Sequence, residues 1–134
     1  MKPEPVYKYM SVCPQTVTRD RTLGEARALM TERGFRHLPV VDQSAIVGVL
    51  SLREVELVMA ASGPDADMLT VESAMTPEPY IVTPDAHLAE VAAEMATRRC
   101  GCAFVIDPTS VVGVFTTVDA LRALARFAGR EDAT

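Results

Sequence analysis

The segment Met10 to Val55 returns as Met75 to Ala120 without insertion or deletion, at a constant offset of 65 residues. Met10/Met75, Pro14/Pro79, Val17/Val82, Thr18/Thr83, Asp20/Asp85, Leu23/Leu88, Glu25/Glu90, Met30/Met95, Arg33/Arg98, Val40/Val105 and Asp42/Asp107 are identical, as is Val47-Gly48-Val49 with Val112-Gly113-Val114. Most other pairs exchange one apolar residue for another. A duplication of this kind limits the fold severely. One copy of roughly 45 to 60 residues buries too little surface to be comfortable alone, whereas two copies packed face to face share one core. The expectation is one pseudo-symmetric domain of 134 residues, with a core of Val, Leu, Ala, Ile and Met because aromatics make up only 5% of the chain.

Each copy opens on a short extended piece after a proline, Gln15-Thr16-Val17-Thr18 or Tyr80-Ile81-Val82-Thr83. Helix punctuation follows. Thr22-Leu23-Gly24-Glu25 is a capping box, in which hydroxyl and carboxylate each satisfy a free backbone N–H. The second copy keeps Glu90 but has His87 at the cap, so Asp85 is expected to share that duty. Leu23, Ala26, Leu29 and Met30, like Leu88, Val91, Ala92 and Met95, recur at helical spacing and give each helix an apolar stripe. These helices are expected to end near Arg33-Gly34 and Arg98-Arg99. Two near-continuous apolar runs follow in each copy, joined by the turns Asp42-Gln43-Ser44 and Asp107-Pro108-Thr109-Ser110, and read as strands buried on both faces. A last helix runs from Leu52 to about Ala61 and from Thr117 to about Phe127. The fold class is mixed α/β, with the order strand, helix, strand, strand, helix in each copy. Residues 1–9 are taken as an extension, 10–60 and 75–128 as the repeats, 61–74 as a linker and 129–134 as a tail.

This β-α-β-β-α unit, its duplication, Gly34-Phe35-Arg36-His37-Leu38-Pro39-Val40-Val41-Asp42 and Val47-Gly48-Val49-Leu50-Ser51 together resemble a tandem pair of CBS domains, a Bateman module. The resemblance covers about Tyr9 to Ala128. It implies two copies packed pseudo-symmetrically through their sheets, adenosine-containing ligands in clefts between them, and association into homodimers.

The resemblance also locates a ligand site. The family's Gly-x-x-Thr/Ser-x-x-Asp stretch is intact in copy two as Gly113-Val114-Phe115-Thr116-Thr117-Val118-Asp119. Its Asp is implied to hold ribose hydroxyls and its Thr to reach a phosphate, which suits a carboxylate at a helix start with free N–H groups. Thr116-x-x-Asp119 is equally a capping box, and both uses are open on sequence alone. Copy one reads Ser51-Leu52-Arg53-Glu54, with Glu in place of the ribose-binding Asp, so its site is expected to be weaker. The remaining walls are implied to be Ile81, Val82 and Thr83 with Gly101, Cys102 and Ala103 in copy two, and Thr16, Val17 and Thr18 with Arg36, His37 and Leu38 in copy one. Arg36, His37, Arg53 and Arg99 are the candidates for phosphate charge, His37 more strongly when protonated. Arg98 and Arg99 also suit a helix C-terminus for dipole reasons alone.

Other chemistries find little support. Net charge −5 argues against nucleic-acid binding. No apolar run approaches the roughly 20 residues of a membrane span, and a start bearing Lys2, Pro3 and Pro5 is not a secretory signal, so a cytoplasmic location is expected. Phosphate-loop, dinucleotide-fold, zinc-protease and serine-elbow signatures are absent, and catalysis is not expected. Three cysteines, Cys13, Cys100 and Cys102, are too few for a four-ligand zinc site. They read as small apolar fillers, with a metal or redox role as an alternative. Met30 and Met95 likewise read as core fillers. No cofactor is required. The leading expectation is a stand-alone sensor that binds an adenine nucleotide (AMP, ADP or ATP), NAD or S-adenosylmethionine, and acts in trans on an unknown effector. The competing one is a ligand-free dimerisation scaffold.

Overall fold

The computed structural model describes residues 3–13, 15–108 and 110–132, the last three by their backbone only. The elements are β1 (Ser11–Val12), β2 (Val17–Thr18), α1 (Leu23–Arg33), β3 (His37–Asp42), β4 (Ala45–Ser51), α2 (Leu52–Ser62), β5 (Thr76–Pro77), β6 (Ile81–Val82), α3 (Leu88–Arg98), β7 (Cys102–Asp107), β8 (Ser110–Thr116) and α4 (Thr117–Asp132). Single 3-10 turns at Val6–Lys8, Ala66–Met68 and Val71–Ser73 are the other helical pieces among the described residues. The mixed α/β class and the strand, helix, strand, strand, helix order stand as expected. Among the described residues no helix is long and apolar enough to cross a membrane.

The contacts divide the chain into two units, one of Met1–Pro14 with Tyr80–Thr134 and one of Gln15–Pro79. Each unit holds a four-stranded sheet, β1-β8-β7-β6 in the first and β5-β4-β3-β2 in the second. The two orders are the same under the 65-residue offset. The inner pairs are antiparallel hairpins with two residues between the paired ends, and the pairs β2·β3 and β6·β7 are parallel, each closed by an intervening helix.

The division does not follow the repeats as read from sequence. The short leading strand β1 pairs with β8, in the body of the second copy, while its counterpart β5 pairs with β4, in the body of the first. The pieces before these strands repeat too. Val6 N–H donates to Ala86 O at 2.8 Å and Leu88 N–H to Glu4 O at 2.7 Å; their counterparts, 65 residues displaced, are Val71 N–H to Arg21 O at 2.8 Å and Leu23 N–H to Leu69 O at 2.7 Å. Val6 and Val71 are both fully buried. Residues 1–9 and 61–74 were expected to be an extension and a linker, yet Glu4 to Tyr9 and Leu69 to Ala74 carry equivalent structure. Backbone hydrogen bonds hold most of it, and these place few demands on side-chain identity.

Two glycines make the exchanged strands possible. A Cβ on Gly48 would lie 2.6 Å from Met75 Sδ and 3.0 Å from Thr76 O, and one on Gly113 would lie 2.9 Å from Ser11 O and against Met10 Sδ. The repeated pairs Met10/Met75 and Gly48/Gly113 are therefore two sides of one packing contact.

Helix ends follow local chemistry. Thr22 and Glu25 form the expected capping box. α1 ends on Gly34 at φ 74, and α3 ends with Arg99 in the same left-handed conformation at φ 57. His87 makes no side-chain cap, and Asp85 instead accepts the Thr83 hydroxyl at 2.7 Å, so the shared capping expected of Asp85 is corrected. The same pairing in the first copy, Thr18 to Asp20 at 2.6 Å, shows that this aspartate staples its own loop. α4 runs to Asp132, beyond the expected stop near Phe127, because Ala128, Arg130 and Glu131 favour continuation against the single Gly129 and no proline interrupts them.

In the first unit Val6, Leu88, Val91, Met95, Ala103, Val105, Phe115 and Ala123 form one buried cluster. In the second, Leu23, Ala26, Met30, Leu38, Val40, Leu50, Val55 and Val71 are buried. The stripe positions of both helices thus face the interior, and Met30 and Met95 are core residues.

Candidate ligand site

The corner where β8 passes into α4 gathers the chemistry of the first unit. Cys102 stands opposite Thr116 in the β7·β8 ladder, and Thr117 N–H donates to Gly101 O at 3.1 Å. This register brings Gly101-Cys102-Ala103 beside Thr116 and the first turn of α4. Among the described residues Asp119 is the buried charged side chain, only 5% exposed. Its Oδ2 accepts Thr116 N–H at 3.0 Å and the Thr116 hydroxyl at 3.1 Å, while Asp119 N–H donates to Thr116 Oγ1 at 3.2 Å. Thr116 and Asp119 therefore do form the reciprocal capping box.

Asp119 Oδ1 has another partner. The hydroxyl of Ser11, on the exchanged strand β1, donates to it at 3.1 Å across 108 residues of sequence. Arg122 Nη1 lies 3.9 Å from the same oxygen but is mostly in solvent. Ser11 was not among the residues singled out from sequence. Its signal was present only as its position directly after the repeated Met10.

A cavity of about 500 Å³ opens beside this corner, between α3 and α4, and Arg99, Cys100, Gly101, Thr117 and Ala120 are among the residues that line it. Arg99 and Gly101 are thus brought to one hollow with the start of α4. Ile81 is 41% exposed on the sheet edge, an apolar surface available to a ring. Val82 lies opposite Val105, so β6 runs away from the corner toward Thr83, whose hydroxyl is held by Asp85. Of the copy-two set, Arg99 and Gly101 share the hollow, Cys102 stands against Thr116 in the ladder, Ala103 follows it, and Asp119 is bonded to Thr116 outside the hollow's lining. Thr83 stands apart from them.

The equivalent corner of the second unit is built on the same register but differs in chemistry. His37 stands opposite Ser51, and Leu52 N–H donates to Arg36 O at 2.9 Å. Ser51 caps α2 by accepting Glu54 N–H at 3.1 Å, but the Glu54 carboxylate is exposed and returns no bond to the cap. The corner offers no buried carboxylate. Arg36 and Arg53 are exposed, Leu38 is buried, and Thr16, Val17 and Thr18 occupy β2 and its approach. His37 Nδ1 is buried without a hydrogen-bond partner. Burial, with the Arg36 charge beside it, holds the imidazole below its ordinary pKa. A protonated His37 is therefore disfavoured, against its expected use as a phosphate cation.

Two other candidates receive physical explanations. Arg98 donates to Glu94 at 2.7 Å and stacks on Tyr80 with its guanidinium 4.4 Å from the ring centroid, so it is a fixed structural cation. Cys13 and Cys102 are buried and Cys100 is partly so. Burial pushes the Cys102 thiol up to about 12, which keeps it protonated and unreactive at neutral pH.

Two copies of one β-α-β-β-α unit, each with a strand-to-helix corner closed by a Ser/Thr-x-x-acid cap, define the class as a tandem module. The chain belongs to the CBS domain family, whose model matches residues 6–60 and 71–126. It is 28% identical over 104 residues to the CBS domain-containing protein YhcV of Bacillus subtilis, covering 78% of this chain and 74% of YhcV. It is also 28% identical over 120 residues to the uncharacterized protein MJ0188 of Methanocaldococcus jannaschii, covering 87% of this chain but only 43% of that protein's length. Among solved structures, a putative acetoin utilization protein (AcuB) from Vibrio cholerae superposes with a TM-score of 0.78 at 26% identity, covering 99% of this chain and 98% of AcuB. The CBS domain of a bacterial CNNM/CorC family Mg2+ transporter, solved in complex with ATP, gives 0.72 at 25% identity over 87% of this chain and 84% of that one.

Proposed function

We propose that the protein is a regulatory module whose first unit binds an adenosine-containing nucleotide at the β8–α4 corner. The buried Asp119 carboxylate carries this assignment, since it sits in the first turn of α4, two residues from the Thr117 whose N–H binds Gly101 O, and is the acceptor that ribose hydroxyls would use. Arg99, which lines the adjoining cavity with Thr117 at the start of α4, suits the phosphate end. An ATP complex of a CBS domain that superposes on this chain supports the same ligand class. AMP, ADP, ATP, NAD and S-adenosylmethionine all meet the ribose requirement, and the phosphate-side contacts choose among them. The second unit, with Glu54 exposed and His37 held neutral, is assigned a weaker site. Binding shifts the population toward the geometry that fits the ligand, and an effector protein reads the change. Homodimerisation is proposed as well, supported by exposed Leu121 and Leu124 on α4.

Calorimetric titration of the wild type, Asp119→Ala and Glu54→Ala with each of the five compounds tests the assignment. Saturable binding that Asp119→Ala abolishes and Glu54→Ala leaves nearly intact is expected. Binding indifferent to Asp119, or no binding at millimolar concentration, would leave the ligand-free scaffold as the better account.

A further inference from the structure

The hydrogen-bond capacity of Asp119 gives Ser11 a role that its place in the sequence does not suggest. A carboxylate offers about four acceptor positions, two on each oxygen. Thr116 N–H and the Thr116 hydroxyl occupy both positions on Oδ2. Ser11 occupies one of the two on Oδ1. One position therefore remains, enough for one ribose hydroxyl. A cis-diol has two to donate.

We propose that Ser11 is an internal competitor for the ribose and sets how strongly the site distinguishes ribose from 2′-deoxyribose; this rests on the assignment of Asp119 as the ribose-binding carboxylate. Full engagement of the diol requires the Ser11 hydroxyl to leave Oδ1. With Ser11 in place, a ribonucleotide and its 2′-deoxy analogue both reach the carboxylate through a single hydroxyl.

The setting of Ser11 fits a releasable latch. β1 is only two residues long and pairs at the sheet edge through Ser11 with Val114 and Val12 with Gly113. Ser11 is exposed, so its hydroxyl can turn to water without creating a buried orphan. The strand stays tethered meanwhile by Met10 against Gly113, and the segment before it by Val6 N–H on Ala86 O and Tyr7 N–H on Pro84 O at 3.1 Å. The second unit lacks the device. Thr76, the counterpart of Ser11, pairs with Val49, and Glu54 is exposed and takes no hydrogen bond from it among the described residues.

The test is calorimetric titration of the wild type, Ser11→Ala, Ser11→Thr and Asp119→Ala with ATP, AMP and their 2′-deoxy analogues. Threonine is the residue that the equivalent strand already carries, so Ser11→Thr keeps both the strand and the hydroxyl. The expected result is that Ser11→Ala tightens ribonucleotide binding roughly tenfold, in line with one hydrogen bond to a charged group no longer broken. The 2′-deoxy analogues should stay within about twofold of wild type, and Ser11→Thr should match wild type throughout. Unchanged or weaker ribonucleotide binding by Ser11→Ala, or an equal gain for both sugars, overturns the proposal while Asp119 dependence leaves the site assignment standing. A wild type that binds none of the four, or binding that survives Asp119→Ala, overturns the site assignment and the role of Ser11 with it.

Discussion

Replacing Asp119 by alanine removes a group that three donors converge on: the Ser11 hydroxyl, the Thr116 N–H and the Thr116 hydroxyl. The two hydroxyls can turn elsewhere, but the Thr116 N–H is fixed by the backbone and loses its acceptor. Loss of a capping interaction costs about 1 kcal/mol. The bond from Ser11, made to a charge with 5% exposure, adds about 1 to 2 kcal/mol after competition from water. The expected destabilisation is therefore about 2 to 3 kcal/mol. Glu54→Ala at the equivalent position removes an exposed carboxylate that returns no cap bond, and its effect should stay within about 0.5 kcal/mol. Urea unfolding followed by circular dichroism measures both, and the duplicated frame makes each variant the control for the other. Equal losses for the two variants, or a loss below about 0.5 kcal/mol for Asp119→Ala, would refute the view that burial and convergent donors set the first unit's corner apart.

Three further perturbations follow from the packing and the ionisable groups. Val6→Ala and Val71→Ala each empty a fully buried position and should each cost about 2 kcal/mol in the same urea assay, whereas a mobile extension or linker would lose nothing. His37 has a folded pKa below its ordinary 6.5, so the unfolded chain gains a proton that the folded chain refuses, and stability falls as pH drops below about 6.5. His37→Gln should flatten that acid limb, and an unchanged slope would contradict the burial argument. Cys102 is raised from 9.0 to about 12, so stability is lost as pH rises from 9 towards 12; Cys102→Ala should lessen that alkaline loss, and an identical alkaline profile would refute it.

Much of this architecture is written in the repeat. The helix stripes at Leu23/Leu88 and Met30/Met95, the cap at Thr22 and the hairpin runs carry local signals that tertiary packing confirms. The exchanged strands were not legible, because Ser11–Val12 and Thr76–Pro77 are too short to show a period and pair with residues about 100 and 27 positions away. The repeated Met10/Met75 and Gly48/Gly113 mark the contact, since a methionine sulfur fills the space that each glycine leaves. At the site, the motif pointed to Thr116 and Asp119. Ser11 lay out of reach because its partner is 108 residues away and a lone hydroxyl has no spacing to recognise. Sequence also could not tell that Glu54 points to solvent or that the Nδ1 of half-buried His37 is shut off from water, as both depend on how the corner closes.

Nuclear magnetic resonance titration of the 15N-labelled protein with ATP addresses the central claim most directly. Saturable shifts concentrated at Ser11, Gly101 to Ala103 and Thr116 to Asp119, with smaller changes at Arg36 to Leu38 and Ser51 to Glu54, are the predicted result. Shifts absent from the Asp119 corner, or stronger at Glu54 than at Asp119, would contradict it.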